Sequence, residues 1–283
     1  MAEHSQNDKL DWAIPVMRAG YAGRGLTYVV IAGMSLWAIW SGGSAQGTQS
    51  ALSKLEGTPG GGIVLGLIAL GLVAYCVWRV LDAAFDLEDY GTDGKGIVAR
   101  IGMIVTGVIH AALGIAAFTI LWGTGTGGSG ISSLTRQALE LPMGRFLIGA
   151  AGAATVGAGI YYLHKAATQS YHEKLRANHF TVNWNWALQA GVAAQGIIVG
   201  IVGGFFLSAA ITYDPSDAGG MNKVFEWLSS QPFGQSIVVL ICLGLLGFAL
   251  FCFVNAAYRI VPKASDPDVE TLGARLKAKA ESA

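Results

Sequence analysis

Ile101-Gly102-Met103-Ile104-Val105-Thr106-Gly107-Val108-Ile109-His110-Ala111-Ala112-Leu113-Gly114-Ile115-Ala116-Ala117-Phe118-Thr119-Ile120-Leu121-Trp122 runs without one Asp, Glu, Lys or Arg. A helix needs roughly 17–25 apolar residues to cross the hydrocarbon of a bilayer, and this run is long enough. No water reaches that depth to bond free backbone groups, so only helices or closed barrels cross. The run has no period-two alternation, which excludes a barrel strand. Working outward, Gly25 to Ser41, Gly61 to Leu81, Phe146 to Leu163, Trp186 to Tyr213 and Phe233 to Tyr258 read the same way. Charged residues make up 13% of the chain and hydrophobic ones 53%, against roughly 25% charged in a soluble domain. Lipid is therefore the expected solvent.

The polar opening, with Glu3, Asp8 and Asp11, is too long for the short basic region of a cleavable signal. Leu26 to Trp40 is thus expected as a retained first span. Net charge is zero and no aromatic-basic stripe occurs, so nucleic acid is excluded as a partner. Cys76, Cys242 and Cys252 all lie in apolar stretches and read as packing residues.

The six stretches are not independent. Arg18-Ala19-Gly20 recurs as Arg100-Ile101-Gly102 and Gln189-Ala190-Gly191, and Arg24-Gly25 as Thr106-Gly107 and Gln195-Gly196. Along the even spans, Pro59 matches Pro142 and Pro232, Gly71 matches Ala154 and Gly244, and Ala83-Ala84 matches Ala166-Ala167 and Ala256-Ala257. Internal self-similarity of this length marks tandem units. The expected organisation is an arm over 1–17, two-span repeats over 18–90, 91–174 and 175–261, and a tail over 262–283. Between the spans of each repeat a mixed segment (Ser50 to Leu55, Ser132 to Leu141, Met221 to Leu228) reads as a surface helix, with the prolines opening the even spans.

Orientation follows from Lys and Arg. The first, third and fifth connections hold only Lys54, Arg136, Arg145 and Lys223 of the 18 basic residues. Cytoplasmic loops carry the excess, so both termini are expected inside; tryptophans at both edges, such as Trp12, Trp78, Trp40 and Trp122, fit interfacial belts. Units with an even number of spans share one topology, which predicts an all-α membrane protein with pseudo-threefold symmetry about the membrane normal. Small residues, above all Gly196, Gly200 and Gly204, make the odd spans the expected inner ring. In the tail, Asp266-Pro267-Asp268 predicts a helix start, with Val269, Leu272 and Leu276 on one face.

Two clusters carry functional expectations. Arg18, Arg24, Arg79 and Asp82 should gather near the inner face as a site for an anion or lipid headgroup, because guanidinium binds phosphate through paired N–H groups. The ordinary alternative is snorkelling arginines and a structural Arg79–Asp82 pair. His110, deep in the third span, has Tyr28 and Val199 as repeat equivalents, so Tyr28 and His110 could face one centre. The alternative is a neutral imidazole bonded to a neighbouring helix. His164, His172 and His179 have the wrong spacing for a helical zinc site and read as a solvated loop, as does the acidic stretch Asp86, Glu88, Asp89 and Asp93. Gly123-x-Gly125-x-x-Gly128 lacks the preceding strand that gives a dinucleotide pattern meaning. No metal, cofactor or catalytic constellation is expected.

The run Arg18 to Tyr28, with Pro59-x-Gly61, Gly71 and Trp78-Arg79, resembles a bacterial membrane family designated domain of unknown function twelve hundred and six. The resemblance covers Arg18 to Val261 and implies three two-helix membrane repeats; it implies no activity. The first unit matches best, and the later units keep the Gly and Pro skeleton but lose the arginines. The expected function is a non-catalytic protein of the bacterial inner membrane that binds lipid or a membrane partner, a second copy included, or serves as an assembly subunit. The alternative is a solute or ion conduit along the axis, similar to mitochondrial carriers in architecture alone.

Overall fold

The computed structural model describes residues 12–123, 130–262 and 270–281. Six helices in it are long and apolar enough to cross a membrane: Ala13–Trp40, Gly61–Phe85, Gly94–Leu121, Gly144–Thr168, Asn185–Thr212 and Gly234–Tyr258, called here the first to sixth spans. Every odd span has 28 residues and every even one 25. A helix of the longer kind reaches about 42 Å at 1.5 Å per residue, so its ends extend past the hydrocarbon. The first span begins at Ala13, earlier than its apolar run suggests, because Ala13 and Met17 are buried against Trp78, Leu87 and Val261. Pro15 falls in that helix's first turn, where its missing N–H has no intrahelical partner to lose.

The three surface helices are Thr48–Glu56, Gly130–Leu139 and Met221–Ser229. The prolines do not open the even spans. Each lies two residues earlier, followed by a left-handed residue, Gly60, Met143 or Phe233, at φ 75, 66 and 61°. The glycine after it is obligatory: a Cβ on Gly61 would lie 1.7 Å from the Leu55 carbonyl oxygen, and one on Gly144 1.9 Å from that of Ala138. Pro-x-Gly is therefore a hinge that folds a surface helix against the next span.

The spans form a circuit. Second packs on third, fourth on fifth and sixth on first, each through an equivalent glycine: Gly107 against Arg79 and Cys76, Gly196 against Gly159 and Leu163, Gly25 against Phe253. Within the first repeat, Gly20 and Gly23 meet the backbone of Tyr75 and Gly71. Within the third, Gly191 and Ala194 meet Phe248 and Gly244. The matching clasp in the second repeat is absent, and no comparable packing joins the third and fourth spans. Val105, which is exposed, stands where Gly23 and Ala194 make close contact with the even span in the other two repeats.

The odd spans do not form an inner ring, since each packs on even spans. Of the fifth span's small residues, Gly196, Gly200 and Gly203 face the fourth span, where a Cβ on Gly203 would lie 2.5 Å from the Val156 nitrogen, and Gly204 is exposed. Lipid supplies no hydrophobic force between helices, so glycine serves whichever neighbour needs close approach.

At one end the surface helices close the bundle, with Leu52, Val224 and Phe225 buried in the main core. The opposite end, where the described chain termini lie, is basic. There Leu175 and Arg176 bridge to Arg259 and Thr271. The tail helix Leu272–Glu281 is tied down by the Leu272 N–H, which donates to the Leu175 carbonyl at 2.7 Å. Leu272 is buried and Leu276 packs beside it. The expected start at Asp266-Pro267-Asp268, with Val269, lies outside the described residues, as do Gly125 and Gly128.

Candidate functional site

Arg24 projects from the first span into the middle of the circuit and is 4% exposed. Its Nη1 donates to the Tyr75 hydroxyl of the second span at 3.0 Å and its Nη2 to that of Tyr162 on the fourth at 3.3 Å. The guanidinium lies 5.0 Å from the Phe248 ring centre on the sixth span and 5.1 Å from that of Tyr75. Among the described residues no carboxylate pairs with it, and its Nε has no hydrogen-bond partner. Cation–π contacts contribute on the order of 1 kcal/mol each and hydrogen bonds to a charged group about 1.5–3. An ion taken out of water costs several kcal/mol, so the cage makes the cation tolerable without neutralising it.

The surrounding hydrogen bonds are lopsided. Tyr75 accepts from Arg24 Nη1 and also from Arg79 Nε at 3.0 Å, so both oxygen lone pairs face guanidinium donors. A phenol has one proton and two lone pairs, which leaves the Tyr75 proton to point elsewhere; the Tyr162 proton is likewise unused. Among the described residues neither hydroxyl has an acceptor. Arg24 Nε–H and two phenol O–H groups thus make a set of donors lacking oxygen acceptors, which an oxyanion would supply.

Toward the basic end the charges are paired. Arg79 Nη1 lies 3.4 Å from Asp82. Asp82 accepts from the Glu88 backbone N–H at 3.1 Å, which aims the following connection inward. Glu88, 2% exposed, takes Arg259 at 2.6 Å and Lys174 at 3.0 Å. Arg259 also bonds Asn255, one helical turn back. Burial pushes the Glu88 carboxyl up, but Arg259, Lys174 and Arg79 outweigh it and hold the group well below the usual carboxylate range. Lys165, the repeat equivalent of Asp82, has no hydrogen bond to another described residue and lies 5.6 Å from the Phe251 ring centre.

Of the expected cluster, Arg24, Arg79 and Asp82 come together, and Arg18 does not: it is exposed, with no hydrogen bond or ion pair to another described residue. Tyr28 and His110 both border Arg24's surroundings but make no pair. Tyr28 packs edge-on against Phe248 at 4.9 Å, and His110 lies against Tyr75 at 4.7 Å. His110 bonds its own helix, not a neighbouring one, through Nδ1 to the Thr106 carbonyl at 2.7 Å. A carbonyl only accepts, so Nδ1 carries the proton.

Two expected solvated loops are ordered. His172 is buried, with Nε2 2.6 Å from the Asn185 oxygen; burial lowers its pKa, and the Asn185 bond opposes that in part. His164 and His179 are exposed, and no group of metal-binding residues forms among the described residues. In the acidic stretch, Glu88 is the hub of the ion cluster and Asp93 caps the third span by accepting from the Gly96 N–H at 2.8 Å. Sequence reasoning missed Glu88, Lys174 and Arg259. The available signal was weak: Arg259 stands beside the repeated Ala256-Ala257 pair, at the margin of a span with no acid of its own.

Comparison with known proteins agrees with the repeat structure. An uncharacterized protein of Bacillus subtilis (strain 168), YxxB, is 26% identical over 253 residues, covering 88% of this chain and 92% of that protein. No solved structure matches. The sequence profile of the Domain of Unknown Function (DUF1206) matches three segments, residues 19–86, 101–169 and 190–259, one for each pair of spans. These three matches span most of the chain, and it belongs to the DUF1206 family.

Proposed function

We propose that this chain is a non-catalytic protein of the bacterial inner membrane, with both termini cytoplasmic, that holds the acidic headgroup of a membrane lipid at Arg24. The observation that carries this reading is the buried guanidinium that has no carboxylate partner among the described residues, beside phenol protons that have no acceptor there. A phosphate or carboxylate group supplies both the charge and the oxygens, and paired guanidinium N–H groups suit it. Arg79 and Lys165 line the approach from the basic end. That end carries the Lys/Arg excess, which supports its assignment to the cytoplasm. A pseudo-threefold axis along the membrane normal, passing near Arg24, is part of the same reading. A conduit has less support, because Leu52, Val224 and Phe225 are buried in the core where the surface helices close the far end. A conduit needs a continuous polar or watery path.

The test is the lipid that stays with protein purified in mild detergent, measured by mass spectrometry for wild type, Arg24→Gln and Arg24→Lys. Wild type should retain an anionic lipid, Arg24→Gln should retain about tenfold less, as for a loss near 1.4 kcal/mol, and Arg24→Lys should be intermediate. Equal retention in all three refutes the headgroup site, and displacement of the lipid by inorganic phosphate identifies a free anion as the ligand. Cellular lipid composition should be the same with Arg24→Gln or His110→Gln as with wild type; a new accumulating lipid would mark an enzyme.

A further inference from the structure

The second repeat alone leaves its clasp open. A Cβ on Gly20 would lie 2.6 Å from Tyr75 Cα, and one on Gly191 2.2 Å from the Gly247 carbonyl carbon, yet one on Gly102, their equivalent, meets nothing within 4 Å. Beside it Val105 and Ile109 are 53% and 54% exposed. Across the seam Ala154, Ala158 and Tyr161, equivalents of the buried Gly71, Tyr75 and Trp78, are exposed as well. The result is an open slot between the third and fourth spans, lined by Gly102, Val105 and Ile109 on one side and Ala154, Ala158 and Tyr161 on the other, none covered by the opposing helix.

Arg24 lies behind this slot. One partner, Tyr162, belongs to the fourth span, and the other, Tyr75, rests against His110 of the third. The guanidinium touches the fourth span directly and the third only through Tyr75, and its Nε–H has no partner among the described residues. We propose that the seam is a lateral doorway and seat for one hydrocarbon chain of an anionic phospholipid whose headgroup is held at Arg24. The chain takes the place that the opposing helix takes in the first and third repeats. This deepens the headgroup reading and rests on it.

Charge selects the occupant. A second copy of this chain cannot supply the missing anion, because Asp82 is the single carboxylate within the six spans and Arg79 already holds it. A foreign helix would have to carry an acid at Arg24's depth, where ionisable side chains are rare. A lipid brings the acid and the chain together.

A benzophenone attached at Ala158→Cys, in a background with the native cysteines replaced by alanine, tests the doorway. The protein is reconstituted in phosphatidylcholine vesicles holding a minor share of phosphatidylglycerol, illuminated, and its adducts are weighed. A second probe at Val77→Cys, on the lipid-facing side of the second span and 41% exposed in the native chain, reports bulk lipid. Adducts at position 158 should be enriched in phosphatidylglycerol about tenfold over its share and should fall to that share with Arg24→Gln, while position 77 follows the share in both. Adducts at 158 that match the bulk, or that join the probe to another protein or a second copy, overturn the doorway. If detergent-purified protein still retains anionic lipid through Arg24 while position 158 never labels it, the lipid enters elsewhere and the headgroup reading survives. If no lipid is retained, both fall.

Discussion

The first and third repeats close on backbone contacts, and the second, built from the same pattern, stays apart. In the closed pairs Gly23 meets Gly71 and Ala194 meets Gly244; in the open pair Val105 and Ala154 both face outward. The junctions between repeats, by contrast, are alike in all three places, through Gly25, Gly107 and Gly196. A repeat protein in lipid can therefore keep its circuit while giving up one internal clasp, provided something else fixes the loosened pair. The Glu88 cluster does that. It joins the connection after the second span to Lys174 beyond the fourth and Arg259 beyond the sixth.

The sharpest way to break the comparison is Glu88→Gln. It strands Arg259 and Lys174 beside a neutral partner, and breaking a buried ion pair costs about 3–5 kcal/mol. Thermal unfolding in detergent should show a drop of that order, and proteolysis should open the second repeat first. The carboxyl's depressed pKa gives a pH signature with a defined sign. Its contribution is fully present above the unfolded value of about 4.3 and is lost as pH falls from there toward the lower folded value.

Gly23→Ala, in the closed first repeat, and Gly102→Ala, in the open second, should have opposite signs. The first forces a methyl to within 2.5 Å of Gly71 Cα and should cost about 1–3 kcal/mol. The second meets open space and should stabilise by about 0.5–1 kcal/mol, the helix preference for Ala over Gly. Equal penalties in melting experiments would mean that the seam is closed.

His172 should give a smaller effect, confined to acid. Its folded pKa is lowered by burial, so the unfolded chain binds more protons below about pH 6.5, and stability erodes as pH falls from there. His172→Gln should flatten that part of the stability profile. Smallest of all, Met143→Gly should relieve a left-handed residue at φ 66° for up to about 1 kcal/mol, while the corresponding hinge of the first repeat already has Gly60.

The span count and the tandem repeats were legible because lipid imposes them on composition. Each crossing must be long, apolar and helical, and a copied unit keeps its Gly and Pro skeleton. Arg24 and the Arg79–Asp82 pair were legible for a related reason, since charges are so scarce in these spans that each stands out, and a three-residue spacing fixes who can meet on one helix. Arg18 misled because helix phase, and not depth alone, decides whether an arginine turns inward. Glu88 was hidden as one of four acids in a connection, where hydropathy carries no information about burial.

The sequence by itself determined the solvent, the six crossings and the repeated unit, since these follow from local composition and periodicity. Only the tertiary structure decided that Glu88 meets Arg259 across 171 positions, that Arg24 sits among aromatic rings with no acid, and that the second repeat remains open. Those outcomes depend on which helix faces approach. Gly102 could serve a clasp as Gly20 and Gly191 do, yet no helix face is brought against it.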